Sequence, residues 1–112
     1  MNWNKITQSA QIDEIKAISM QRPVLIFKHS TRCSISSMSL DRLVRNWKTE
    51  DEERLTPFVL DLIAYRDLSD QIEKEFGVYH QSPQVILIKE GKAIYDESHF
   101  GISYPNIMKQ LK

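Results

Sequence analysis

The sequence predicts an α/β fold in which a four-stranded mixed sheet lies between layers of helices. Three observations lead to this fold class. Four short apolar runs with the composition of strands occupy residues 24–27, 58–62, 85–88 and 93–96. Segments with helical apolar spacing separate the first three runs, and only the four residues 89–92 separate the last two. Two strand–helix–strand crossovers followed by a hairpin give a mixed sheet covered on both faces.

The four runs differ in how they are bounded. The first and third are uninterrupted and rich in β-branched residues, which is typical of strands buried on both faces. Pro23 and Pro57 precede the first two runs, where a missing amide donor costs least. The segment Glu90-Gly91-Lys92 between the last two runs predicts a tight hairpin.

The first two helices are predicted from apolar spacing. Ile12, Ile15 and Ile18 recur at every third residue between residues 9 and 20. A longer helix is expected after Cys33, with one buried side. The apolar residues assigned to that side are Ile35, Leu40, Leu43, Val44 and Trp47.

The last two helices are predicted from their ends as well as from their spacing. Residues 68–76 form the third, and Gly77 just past its end is a stop signal. Residues 103–111 form the fourth, and Pro105 is tolerated in its first turn. The resulting order of elements is that of a thioredoxin-like, three-layer fold.

Composition limits the classes of function. The chain has 112 residues, of which 41% are apolar, so we expect a single domain over residues 1–112. The formal net charge is zero, which argues against a nucleic-acid partner, and the acidic run at residues 50–54 is expected to be a solvated helix end or loop. No apolar run approaches the ~18 residues that a membrane span needs. One cysteine and no leader-like start favour the reducing cytoplasm.

The lone cysteine is the main candidate for chemistry. Cys33 lies where the first strand gives way to the following helix, and ligand sites of α/β sheets collect at the carboxyl ends of strands. A helix N-terminus supplies unpaired amides and partial positive charge that stabilise a thiolate, and Arg32 adds a full charge nearby. The alternative is a buried cysteine that only fills the core. The polar neighbours of Cys33, among them Ser30, Thr31 and Ser34, are a poor lining for a core and favour a reactive site.

Ser36 stands three residues after Cys33, on the same face of the first helical turn. Dithiol oxidoreductases have their second cysteine at this spacing. A serine can donate a hydrogen bond to the thiolate, but it cannot resolve a mixed disulfide. We therefore expect a one-cysteine mechanism, in which an outside thiol removes any adduct from Cys33.

A second candidate element precedes the third apolar run. Thioredoxin-like proteins have a cis-proline at this point, and we expect the Ser82–Pro83 bond to be cis and to face Cys33. The backbone of Ser82 would then pair with an incoming partner as an added strand does. His29, His80 and His99 match no zinc spacing, although His29 ends the first strand and could lie near Cys33.

Residues 23–36, which include Lys28-His29-Ser30-Thr31 ahead of Cys33-Ser34-Ile35-Ser36, together with Ser82-Pro83-Gln84, resemble the YtxJ family of monothiol bacilliredoxin-like proteins. The resemblance runs through nearly the whole chain. One departure is Ser34, where some members have proline. The resemblance implies a thioredoxin-like fold and removal of bacillithiol from mixed disulfides on other proteins.

We accordingly expect a thiol–disulfide oxidoreductase that binds no cofactor and uses bacillithiol as a cosubstrate. Its expected partners are S-bacillithiolated client proteins and a low-molecular-weight thiol or the reductase of that thiol. The expected site has catalytic residues Cys33, Ser36 and Arg32, substrate-binding residues Thr31, Ser82 and Pro83, and no metal ligand. Two alternatives stay open: an iron–sulfur carrier like the monothiol glutaredoxins, and a thioredoxin-fold interaction module in which Cys33 is incidental.

Overall fold

The chain forms one mixed sheet of five strands in the computed structural model, which describes residues 2–111. The strands are β1 (Asn4–Lys5), β2 (Val24–His29), β3 (Thr56–Asp61), β4 (Gln84–Lys89) and β5 (Lys92–Ser98). Their order across the sheet is β1-β3-β2-β4-β5. Strands β1, β3 and β2 are parallel to one another. Strand β4 is antiparallel to β2, and β5 is antiparallel to β4. The predicted mixed sheet is confirmed.

The strand count is one higher than the sequence predicts. The additional strand, β1, is only two residues long, and both of its residues are exposed. It pairs with β3 in parallel, and the Asn4 side chain donates a hydrogen bond to the Pro57 carbonyl at 3.0 Å. A two-residue strand without a buried face has no apolar pattern, so the sequence does not reveal it.

Four helices cover the two faces of the sheet. They are α1 (Ala10–Ser19), α2 (Ser34–Asn46), α3 (Arg66–Phe76) and α4 (Tyr104–Lys109), with short 3₁₀ turns at Thr49–Glu53 and His99–Gly101. Buried residues of α1 and α3 share one core cluster, and buried residues of α2 and α4 share the other. None of the helices described is long and apolar enough to cross a membrane.

Alternation along β2 divides the core between these two layers. Val24 and Ile26 point into the cluster with α1 and α3, whereas Leu25 and Phe27 point into the cluster with α2 and α4. All four side chains are fully buried. The central strands are therefore apolar on both faces, as the uninterrupted runs predict.

The predicted ends of the helices and the hairpin are confirmed. Gly77 ends α3 in the left-handed conformation at φ +67°, which glycine adopts at little cost. Ser103 caps α4 by accepting a hydrogen bond from the Asn106 amide, and Pro105 lies in the first turn. Glu90 and Gly91, both with positive φ, connect β4 to β5.

The acidic run at residues 50–54 is only partly solvated, which corrects the prediction. Asp51 is buried, with 1% of its surface exposed. Its carboxylate accepts hydrogen bonds from the Tyr104 hydroxyl and the Lys48 amide and lies 3.6 Å from Arg54. Burial, together with the bond to Asp51, raises the pKa of Tyr104 to about 12. The contact joins the 3₁₀ turn to the start of α4.

Candidate active site

Cys33 is the N-cap residue of α2, immediately beyond the loop that follows β2. Its amide donates a hydrogen bond to the Ser30 carbonyl at 3.1 Å, and its carbonyl accepts one from the Ser37 amide at 3.1 Å. The residue is half-buried and belongs to neither core cluster. This position favours a reactive thiol over a core-filling one, since reactive cysteines are partially exposed.

The start of α2 offers the sulfur unpaired donors. A capping side chain usually bonds the amide two or three positions into the helix, here Ile35 or Ser36, but Cys33 makes no such bond. The amides of this first turn are left free, and Cys33 as the N-cap residue is at the positive end of the helix dipole. A negatively charged sulfur here faces complementary charge.

Ser36 joins the first turn of α2 to the end of β2. Its hydroxyl oxygen lies 2.6 Å from Nδ1 of His29 and accepts a hydrogen bond from the Ser30 amide at 3.0 Å. Ser36 is fully buried. These hydrogen bonds of Ser36 therefore connect both ends of the loop before Cys33. In a dithiol protein, the second cysteine would occupy the position of Ser36.

Within the described residues, Nδ1 of His29 is the one acceptor that the Ser36 hydroxyl reaches. Burial lowers the pKa of His29 from 6.5, and the charges of Asp61 and Asp41 partly oppose this effect. We therefore assign His29 as neutral at pH 7, with its proton on Nε2 and Nδ1 accepting from Ser36. In this state Ser36 makes no hydrogen bond to Cys33. Donation to the thiolate, as the sequence suggests, needs Ser36 to leave His29.

This pairing predicts a pH-dependent stability. Because burial depresses the folded-state pKa of His29, its contribution is present above the unfolded value of 6.5 and is lost as pH falls through the folded-state pKa. His29→Asn keeps an oxygen near the position of Nδ1 but does not titrate. Urea unfolding should therefore show a smaller loss of stability on acidification for His29→Asn than for the wild type.

His29→Leu is the matched comparison, since it removes the acceptor as well as the titration. It should cost about 1–3 kcal/mol near neutral pH because the buried Ser36 hydroxyl is left without an acceptor. Equal acid sensitivity in the wild type and His29→Asn would contradict the assignment of a neutral His29.

The cis-proline loop reaches the same end of the sheet as Cys33. The Ser82–Pro83 bond is cis, as predicted. Lys28 pairs with Gln84 across β2 and β4, so that Pro83 is level with His29 at the carboxyl end of β2. The Ser82 amide and carbonyl make no hydrogen bond to another described residue, and the buried Ser82 hydroxyl has no partner either.

A buried lysine supports this loop, and the sequence did not point to it. Lys28 is fully buried on the face of β2 opposite to Phe27, and burial lowers its pKa. Its ammonium lies 3.4 Å from the Ser69 carbonyl and 3.3 Å from Nδ1 of His80. The His80 amide in turn donates to Glu73 at 2.5 Å. The segment before Pro83 is therefore connected to both β2 and α3.

Two other predicted site residues, Thr31 and Arg32, lie in the loop immediately before Cys33. Arg32 is exposed and forms no ion pair with a described residue. Thr31 is also exposed, and together with His29 it lines a cavity of about 510 Å³ beside β1 and β3. The remaining wall of the cavity is largely apolar and includes Trp3, Ile6, Leu40, Val59 and Tyr65.

The three histidines do not assemble into a metal site. His29 bonds Ser36, His80 bonds Lys28 and Ser69, and His99 lies in the 3₁₀ turn after β5. No three His, Cys, Asp or Glu side chains within residues 2–111 are grouped so that they could hold a metal ion.

Solved structures of thioredoxin-fold proteins resemble this chain over almost its entire length. A candidate oxidoreductase with a thioredoxin fold is 26% identical, with a TM-score of 0.81 over 97% of this chain and 93% of that one. The thioredoxin of Malassezia sympodialis is 17% identical, with a TM-score of 0.73 over 98% and 88%. The thioredoxin of Fasciola hepatica is 12% identical, with a TM-score of 0.69 over 96% and 95%. The fold is that of thioredoxin.

The family assignment rests on the sequence itself. The model of the monothiol bacilliredoxin BrxC family matches residues 4–107, which takes in Cys33 and the cis-proline loop. This agrees with the resemblance seen in the residues before and after Cys33. Family and fold together support a role in thiol–disulfide oxidoreduction. The chain belongs to the monothiol bacilliredoxin family.

Proposed function

We propose that this protein removes bacillithiol from S-bacillithiolated proteins, with Cys33 as its nucleophile. The observation that carries the proposal is the place of the chain's one cysteine, half-buried at the start of α2 and at the same end of the sheet as the cis-Pro83 loop. A thiol–disulfide exchange needs an accessible sulfur, donors that favour its anion, and a surface along which the partner is held. The free amides of α2 and the unpaired backbone of Ser82 match the last two requirements.

The exchange conserves electrons and atoms. The Cys33 thiolate attacks the bacillithiol sulfur of the mixed disulfide, a new disulfide forms between Cys33 and bacillithiol, and the client thiolate leaves and takes up a proton. A second bacillithiol, as thiolate, attacks the adduct. This regenerates the Cys33 thiol and releases oxidised bacillithiol, or a dedicated reductase supplies the two electrons instead. The protein binds no cofactor, and bacillithiol is its cosubstrate.

The other predicted residues have supporting roles in this proposal. Arg32 adds positive charge beside the leaving and attacking sulfurs. Ser82 pairs through its backbone with the partner chain, and Pro83 shapes that loop. Thr31 borders the cavity of about 510 Å³, a size that suits a small molecule, and we assign this cavity to the part of bacillithiol beyond its sulfur. The proposed setting is the reducing cytoplasm, where a lone thiol stays free.

The identity of the thiol is tested by offering two oxidised thiols separately. Incubation with oxidised bacillithiol should add one bacillithiol to Cys33, as seen in the intact mass, and should do so faster than oxidised glutathione adds glutathione. Thr31→Trp, which narrows the cavity, should slow the first reaction more than the second. Equal rates with both disulfides would contradict selectivity for bacillithiol.

A further inference from the structure

An exposed apolar groove adjoins the candidate site along α2. Met38 and Phe100 are 64% and 73% exposed, and Val44 is 37% exposed. With Ile35, Arg42 and Arg45 they line a groove of about 490 Å³ between α2 and the 3₁₀ turn after β5, here called the α2 groove. Ile35 and Val44 were predicted to face the core, and their position on this surface corrects that prediction. Large side chains exposed together in this way are typical of an interaction site.

Both walls of the α2 groove are connected to the residues proposed for catalysis. Ile35 is in the first turn of α2, two residues after Cys33. Phe100 lies on the turn that His99 begins, and the His99 amide donates to the Pro83 carbonyl at 2.9 Å. His99 has φ +55°, in the left-handed region, where histidine is among the non-glycine residues found most often. The hydrogen bond from His99 to Pro83 thus connects the turn that carries the exposed Phe100 to the cis-proline loop.

Charge and length indicate what the α2 groove accommodates. Arg42 and Arg45 make no ion pair with any described residue, and they outnumber Asp41, the one carboxylate along the groove. From Ile35 to Arg45 the helix advances ~15 Å, which is the length of about four or five extended residues. A polypeptide with apolar and acidic side chains fits both the length and the charge.

We propose that the α2 groove binds the client protein, as an extended segment beside the modified cysteine with an apolar residue against Met38 and Phe100 and carboxylates against Arg42 and Arg45. The inference rests on the proposed function, because it assigns the partner of the same site. It implies that clients are selected by the sequence around their cysteine, whereas small disulfides react independently of the groove.

The test compares a peptide with a small disulfide. The peptide carries one cysteine in a mixed disulfide with bacillithiol, flanked by leucine and glutamates, and the small substrate is oxidised bacillithiol. The double variant Met38→Ser/Phe100→Ser should raise KM for the peptide about tenfold or more, since two apolar contacts are lost. Its kcat and its rate with oxidised bacillithiol should be unchanged. Met20→Ser is the matched control, because Met20 is 63% exposed and lies outside the groove.

Charge reversal supplies an independent readout. Arg42→Glu/Arg45→Glu should weaken the reaction with the glutamate peptide and improve it with a peptide in which lysines replace the glutamates. No effect of either double variant on the peptide, or an equal effect on oxidised bacillithiol, would overturn the proposal. So would a wild-type dimer that Met38→Ser/Phe100→Ser dissociates without a change in peptide KM, because a second copy would then occupy the groove.

Binding measured without chemistry separates this proposal from the proposed function. Fluorescence polarisation of the reduced, labelled peptide with a Cys33→Ser protein reports docking alone. Binding that Met38→Ser/Phe100→Ser abolishes, in a protein whose wild type exchanges neither substrate, would support the groove and refute the proposed function. Exchange of both substrates without selective peptide binding would support the proposed function and refute the role of the groove.

Discussion

Cys33→Ser is expected to reduce the release of client thiol from an S-bacillithiolated protein to the uncatalysed background, a loss of about a thousandfold or more. The chain has no other thiol to take over the attack. The variant should fold, because Cys33 is half-buried and serine is a favoured residue at a helix N-cap. Unfolding in urea should show a stability equal to the wild type or up to about 1 kcal/mol higher.

The combination of these two readouts is what distinguishes a nucleophile from a structural residue. A cysteine that only fills space would change stability and activity together. A Cys33→Ser protein with undiminished thiol release would favour the alternative in which Cys33 is incidental to an interaction module.

Ser36→Cys is expected to convert the protein to a dithiol mechanism and to shorten the life of the bacillithiol adduct by orders of magnitude. Residues 33 and 36 are the N-cap and third positions of α2, so their side chains share one face of the first turn. A thiol at residue 36 would attack the adduct on Cys33 from within the chain, expel bacillithiol and leave an intramolecular disulfide. An intramolecular attack benefits from an effective concentration that no outside thiol attains.

Asn46→Cys is the matched control for this variant. Asn46 is exposed at the far end of α2, and at a rise of ~1.5 Å per residue its thiol would be ~20 Å from Cys33. Intact mass after exposure to oxidised bacillithiol should show the adduct on the wild type and additional adduct on Asn46→Cys. It should show a mass two hydrogens below the reduced protein for Ser36→Cys. An adduct that persists equally in all three proteins would mean that residues 33 and 36 do not meet.

The sequence predicted those parts of the fold that depend on local patterns. Buried strands, the Gly77 stop and the Pro105 start each follow from the residues at that point, and the structure confirms them. The outer face of α2 was not predicted correctly. Spacing shows that Ile35 and Val44 lie on a helix, but whether they meet another layer depends on where the turn at His99–Gly101 passes.

The site was predictable only in part for the same reason. The place of Cys33 at a helix start and the loop at Pro83 follow from the order of elements. The hydrogen bond from the Ser36 hydroxyl to His29 does not, because it forms only when the loop between them folds back to join the end of β2 to the first turn of α2. Lys28 likewise extends an apolar run with a charged residue, and its burial depends on Ser69 and His80, which are distant in sequence.

The most direct test of the proposed function is to follow where bacillithiol goes in a single turnover. The wild-type protein is mixed with an equal amount of an S-bacillithiolated client, the reaction is quenched by alkylation, and the intact masses of both proteins are recorded. We expect a client that has lost one bacillithiol and a protein that has gained one, located by peptide mapping at Cys33. A client that keeps its bacillithiol, or a covalent client–protein disulfide as the main product, would contradict it.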